Sequence, residues 1–161
     1  MGWSRRLRRA SIVAVAATLG ACNLDVGMPP NNPSDPATET FAPSLQIDIA
    51  SMQKTTAGIY YKDLKVGTGG ALTVSATGFV VLSYLGLLKD GTRFAQALSQ
   101  TMGLTALPPG MLDGLAGAPA MREGGERIIV VPSALGYGNV AVPGVPPNST
   151  LVFDVVLVQA Q

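Results

Sequence analysis

Apolar and polar positions alternate along this chain in blocks that glycine and proline interrupt. GIYYKDLKVGTGG (58–70) opens with a short apolar and aromatic run and closes in a glycine turn. GFVVLSYLGLL (78–88) is β-branched or aromatic at many positions and stops at Lys89-Asp90-Gly91, a turn of the Asp-Gly kind. Thr92, Arg93 and Phe94 then begin a return strand. ERIIVVP (126–132) is a third strand run, stopped by proline, and TLVFDVVLV (150–158) is a fourth. Helical signal is confined to Met111–Ala116, between Gly110 and Gly117. The order predicts an α+β domain, a mostly antiparallel sheet over one short helix.

The N-terminal third reads differently. NLDVGMPPNNPSDPATETFAP (23–43) carries prolines at 29, 30, 33, 36 and 43, which exclude a continuous helix and deny a strand its donors. Few apolar side chains are available to bury, so residues 22–44 are expected to be a disordered or extended tether. About twenty residues at ~3.3 Å each reach roughly 70 Å. Before the tether, Arg5, Arg6, Arg8 and Arg9 precede an apolar run from Ala10 to Gly20. That run is shorter than the ~20 residues a membrane span needs and reads as the core of a secretory signal, residues 1–21. The folded domain is then 45–161.

Charge and composition exclude much. Four of the eleven basic residues lie in the signal, so residues 22–161 keep seven basic against ten acidic, net −3. No basic stripe remains to neutralise phosphates, which argues against nucleic acid as a partner. There is no histidine, and Cys22 is the single cysteine, so neither a zinc site nor a Ser-His pair can be built. No phosphate loop or dinucleotide fingerprint appears, and GTGG (67–70) is only a turn. Carboxylates are scattered. No cofactor or metal is expected, and any enzyme here works without strong acid-base or covalent chemistry.

One reaction fits that restriction: rotation about the bond before proline. An apolar pocket strips water from the prolyl carbonyl and disfavours the charge-separated resonance form that stiffens the amide. Four segments in order carry a resemblance to the FKBP-type peptidyl-prolyl isomerases: GIYYKDLKVGTGG, LSYLGLLKDGTRF (82–94), REGGERIIVVPSALGYG (122–138) and PGVPPNSTLVFDVVLV (143–158). The resemblance implies a twisted antiparallel half-barrel around the helix, acting on proline-containing polypeptides. It implies Tyr137, Phe94 and Phe153 as catalytic residues, Tyr137 donating its hydroxyl to a substrate carbonyl. Tyr84, Leu107, Pro108, Met111 and Val145 are implied as substrate-binding residues. YGNVAVPGVPPNSTLVFDV (137–155) would then supply the loop that roofs the pocket. The same aromatics also suit an ordinary sheet core.

This sequence departs from the family pattern. Ala95 follows Phe94 where the family usually has aspartate. The stretch 96–106 is short and lacks an aromatic wall. In LPPGMLDG (107–114), matching on Gly110 puts Met111 where tryptophan is common, and Pro108 where a backbone N–H meets ligand. GAPAM (117–121) is longer, and the loop 138–145 shorter, than in the family. These changes predict weakened catalysis.

Leu19-Gly20-Ala21-Cys22 resembles the bacterial lipoprotein signal, with Cys22 the lipid acceptor; an ordinary signal beside a free thiol is the alternative. The expected location is the periplasm-facing cell envelope, and Asn23 favours the outer membrane. A monomer is the default. Three functions stay open: a lipid-anchored isomerase assisting exported proteins, a silent binding or chaperone relative, and a lipoprotein using the sheet as a structural module.

Overall fold

The structure is a computed structural model that describes residues 33–75 and 77–160. The signal, Cys22 and residues 23–32 lie outside the described residues. Six strands are formed: β1 (Gln53–Lys54), β2 (Tyr60–Lys65), β3 (Phe79–Leu88), β4 (Arg93–Gly103), β5 (Glu126–Val131) and β6 (Leu151–Ala160). They make one sheet in the order β1-β2-β5-β6-β3-β4, with every pairing antiparallel. The single α-helix among the described residues, α1, spans Met111–Leu115. All four long runs read as strands form, and β1 is an addition too short to show periodicity.

Strand β6 explains why its run reads as almost continuously apolar. Leu151, Phe153, Val155 and Leu157 face inward and are fully buried. Val152, on the opposite face, is equally buried, whereas Val156 and Val158 further along that face are exposed. A strand covered on both sides for part of its length loses the polar alternation of a half-exposed one. The inner face and α1 hold the main core, with Ile59, Tyr61, Leu82, Met111, Leu115 and Ile129 among its buried members.

What covers the outer face corrects the expected tether. Residues 33–52 form a strap of three single 3-10 turns, Pro36–Thr38, Pro43–Leu45 and Ile49–Ser51. Phe41, Leu45, Ile47, Ile49 and Met52 pack on Tyr60, Val130 and Val152 of the outer face. Thus residues 33–44, expected as part of an extended linker, are held against the domain. Proline is excluded from a helix interior but fits the first position of a turn, and Pro36 and Pro43 both occupy that position. The Asp35 carboxylate accepts from the Ala37 N–H at 3.1 Å and caps the first turn.

A buried ion pair fixes α1 to the sheet. Arg127 on β5, 1% exposed, donates from Nε and Nη2 to both oxygens of Asp63 at 2.7 and 3.0 Å. Its Nη1 donates to the Gly114 carbonyl at 2.9 Å, and Nη2 also donates to the Pro119 carbonyl at 3.0 Å. The guanidinium sits 4.4 Å from the Tyr61 ring centroid. One side chain therefore satisfies carbonyls at the end of α1 and in the following link, holding the helix against β2 and β5.

Candidate active site

Tyr84 on β3, Phe94 at the start of β4 and Phe153 on β6 converge on the core-facing side of the sheet. The Tyr84 and Phe153 ring centroids are 6.1 Å apart, and those of Phe94 and Phe153 are 5.8 Å apart, both edge-to-face at 72°. Such T-shaped contacts place the positive ring edge on a neighbouring π face and fix ring orientation. Gly86 makes this convergence possible. It lies opposite Phe153 on one side and Ala95 on the other. A Cβ at Gly86 would stand 2.9 Å from Phe94 Cζ and 3.0 Å from Ala95 Cβ, so the Phe94 ring lies across the bare backbone of β3.

Backbone bonds on both sides of Tyr137 build its corner. Strand β5 ends at Val131, and after Pro132 the chain makes a 3-10 turn over Ser133–Leu135. The Ser133 carbonyl accepts from the N–H groups of Gly136 at 3.0 Å and Gly138 at 2.8 Å, the two neighbours of Tyr137. Tyr137 is partly buried against the main core, as are Tyr84, Phe94 and Leu107. Burial, and the nearby Tyr137 phenol, push the Tyr84 hydroxyl above its ordinary pKa. The Tyr84 hydroxyl therefore keeps its proton, and can donate, throughout the physiological range.

Beyond the corner, Val142 and Val145 exchange backbone bonds of 3.1 and 2.9 Å and close a tight turn. Gly144 in that turn has φ +78°, and a Cβ there would lie 3.2 Å from Phe94 Cβ. The loop therefore rests on the Phe94 side of the site, as a roof would. On the opposite side, Leu107 is extended and the Pro108 carbonyl accepts from the Met111 N–H at 3.1 Å. Met111 is the first residue of α1 and points into the core.

Burial divides the expected site residues into two sets. Tyr84, Phe94, Leu107, Pro108 and Tyr137 are partly exposed and form the accessible surface. Met111 and Phe153 have no exposed surface and Val145 is 3% exposed. These three were expected to line the pocket, Phe153 as a catalytic wall and Met111 and Val145 as substrate contacts. In the structure they stand behind the accessible residues and hold them in place. The reason is geometric: Phe153 faces inward on a central strand, Met111 sits beneath the Leu107–Gly110 link, and the Val142–Val145 turn folds Val145 inward. Pro108 offers no N–H, in keeping with its sequence. The short wall at 96–106 also has a structural form: β4 runs on to Gly103, paired with Phe79, through a register shift at Leu98–Ser99 where Ser99 has φ +45°, and only one 3-10 turn precedes Leu107.

Sequence reasoning missed Gly86, Gly144 and Ser133. A glycine inside an apolar strand run signals close approach of another group, and Gly86 carried that signal. Ser133 carried none, since its bonds to the Tyr137 corner come from its main-chain carbonyl.

Fold and site together define an open antiparallel sheet on one short helix, with an aromatic cluster and a tyrosine corner. The chain belongs to the FKBP-type peptidyl-prolyl cis-trans isomerase family, whose profile matches residues 70–158. It is 36% identical over 114 residues to the FKBP-type isomerase FkpA of Escherichia coli, covering 68% of this chain and 40% of that protein. It is also 36% identical over 144 residues to FK506-binding protein 4 of Neurospora crassa, covering 86% of this chain and 28% of that one. Among solved structures, Escherichia coli FkpA superposes with a TM-score of 0.60 at 34% identity, over 68% of this chain and 51% of that one. An isomerase from Pseudomonas syringae does so with a TM-score of 0.60 at 29% identity, over 68% and 80%. The chain thus spans well under half the length of the curated relatives named here.

Proposed function

We propose that this protein catalyses cis-trans isomerisation of Xaa-Pro peptide bonds in exported polypeptides, as a lipid-anchored member of its family. One observation carries the reading: Tyr84, Phe94 and Tyr137 present partly exposed apolar faces near the buried Phe153 ring, with two tyrosine hydroxyls among them. A proline ring against these faces loses water from its amide. Uncatalysed rotation crosses a barrier of ~18–20 kcal/mol set by amide resonance. Desolvation disfavours the polar, planar form of that amide, so the twisted transition state gains relative to the ground state. The Tyr137 hydroxyl donates to a substrate carbonyl and orients the peptide. No proton is transferred and no covalent bond forms, consistent with a chain that has no histidine.

Ala95 and Pro108 favour a second reading, a binding or chaperone module with little turnover. Each removes a polar contact, and a lost hydrogen bond costs roughly 0.5–1.5 kcal/mol. Two such losses slow catalysis without removing the apolar surface. Export and anchoring rest on the Arg5–Arg9 start, the apolar run and Leu19-Gly20-Ala21-Cys22, with Cys22 carrying the lipid on the periplasmic side of the envelope, in the outer membrane, as a monomer. A protease-coupled assay on an alanyl-prolyl peptide tests the enzyme: catalysed rotation above the buffer rate at micromolar protein is expected, and none at all leaves the binding module.

A further inference from the structure

Residues 34–44 join the two flanks of the aromatic site. On one flank the Ser34 N–H donates to Ser133 Oγ at 2.7 Å, and the Ser133 N–H donates back to Ser34 Oγ at 2.8 Å. Ser133 is fully buried, and its carbonyl holds the Gly136 and Gly138 amides on either side of Tyr137. Thr150, 1% exposed and just ahead of β6, bonds the Glu39 carboxylate and lies 2.7 Å from Ser34 Oγ. An ionised carboxylate only accepts, so the Thr150 hydroxyl gives its hydrogen to Glu39. The hydrogen of the 2.7 Å contact then comes from Ser34. On the other flank, Glu39 Oε1 accepts from Lys89 Nζ at 2.8 Å, and the Ala42 N–H donates to the Lys89 carbonyl at 2.8 Å. Lys89 begins the hairpin turn that leads into Arg93 and Phe94. The chain of bonds therefore runs from the Tyr137 corner, through Ser34, Thr150 and Glu39, to the hairpin that carries Phe94.

We propose that Ser34 and Glu39 are positioning residues for the isomerase reaction, setting the separation of Tyr137 from Phe94. The inference rests on the isomerase reading of the site. A substrate proline held between two flanks needs their spacing fixed before it arrives, because a loosely held pocket loses the geometry that desolvation and orientation require. The strap supplies that fixity from outside the pocket. Neither residue belongs to the aromatic cluster.

The test uses the full chain and compares Ser34→Ala, Ser34→Thr and Glu39→Gln in the alanyl-prolyl assay, well below the melting temperature. Ser34→Ala and Glu39→Gln are expected to lower kcat/KM about three- to tenfold, the size of one lost positioning bond. Ser34→Thr keeps the hydroxyl and is expected to restore it. In a Tyr137→Phe background the Ser34→Ala change should cost less than twofold, because the group it positions is gone. A full, undiminished effect there shows general loosening and overturns the proposal, as does wild-type turnover in Ser34→Ala. Amide hydrogen exchange separates this result from the fate of the enzyme reading. Ser34→Ala should speed exchange at Gly138 about tenfold and leave Ile129 on β5 unchanged, even if the intact chain turns over no peptide. Unchanged exchange at Gly138 overturns the proposal whatever the activity.

Discussion

Tyr137 is held in its corner by backbone bonds on both sides, among them those of the Gly136 and Gly138 amides to the Ser133 carbonyl. Replacing its hydroxyl removes one donor and leaves the ring, so Tyr137→Phe should lower kcat/KM by about two- to twelvefold with little change in stability. The protease-coupled assay alongside thermal unfolding checks both halves. Gly86 makes a different demand. A methyl group there would meet the Phe94 ring at 2.9 Å, too close without movement of the ring or of β4. Gly86→Ala should therefore cost about 1–3 kcal/mol in denaturant unfolding and reduce turnover, since the displaced ring is part of the site. Tyr84, Phe94 and Tyr137 were named from the sequence only through the resemblance of their segments to the family, and the structure leaves all three partly exposed. Gly86 signalled in the sequence only that some group comes close, because which group depends on register. Only pairing with both Ala95 and Phe153 shows what would collide.

Among the elements, the long strands were legible and the strap was not. Runs of β-branched and aromatic residues mark β3, β5 and β6 without any knowledge of partners. The strap's single 3-10 turns have no periodicity, and its prolines suggest an open chain until they are seen at first-turn positions. Its apolar residues acquire meaning only against Val130 and Val152. Strand β5 also bears the Arg127–Asp63 pair, with Arg127 1% exposed. Asp63→Asn removes the counter-charge and one of the two acceptors of that buried guanidinium and should destabilise the fold by about 3–5 kcal/mol in denaturant unfolding. On the outer face of β6, burial and then the neighbouring Glu126 raise the pKa of Asp154 above the ordinary aspartate value. Such a group favours folding when protonated: the folded state takes up its proton first as pH falls, and the ionised form is the less favourable one near neutrality. Asp154→Asn should accordingly raise the melting temperature at pH 7. That gain should shrink as pH falls through the raised folded value toward about 4, which melting curves across that range will show.

At the scale of the whole molecule, the docked strap shortens the proposed leash. From Cys22 to Pro33 the chain spans at most about 35–40 Å fully extended, roughly half of what a free tether to residue 44 would allow. An anchored domain would then work close to the membrane surface, on polypeptides still near it. The proposed substrate surface is the group of partly exposed aromatic residues Tyr84, Phe94 and Tyr137. Titrating the isotope-labelled protein with an alanyl-prolyl peptide, observed by NMR, tests that surface most directly. The account predicts concentration-dependent shifts concentrated at Tyr84, Phe94, Leu107 and Tyr137, with the outer-face residues Val152 and Val156 silent. Shifts confined to the outer face, or none at those four residues at millimolar peptide, would contradict it.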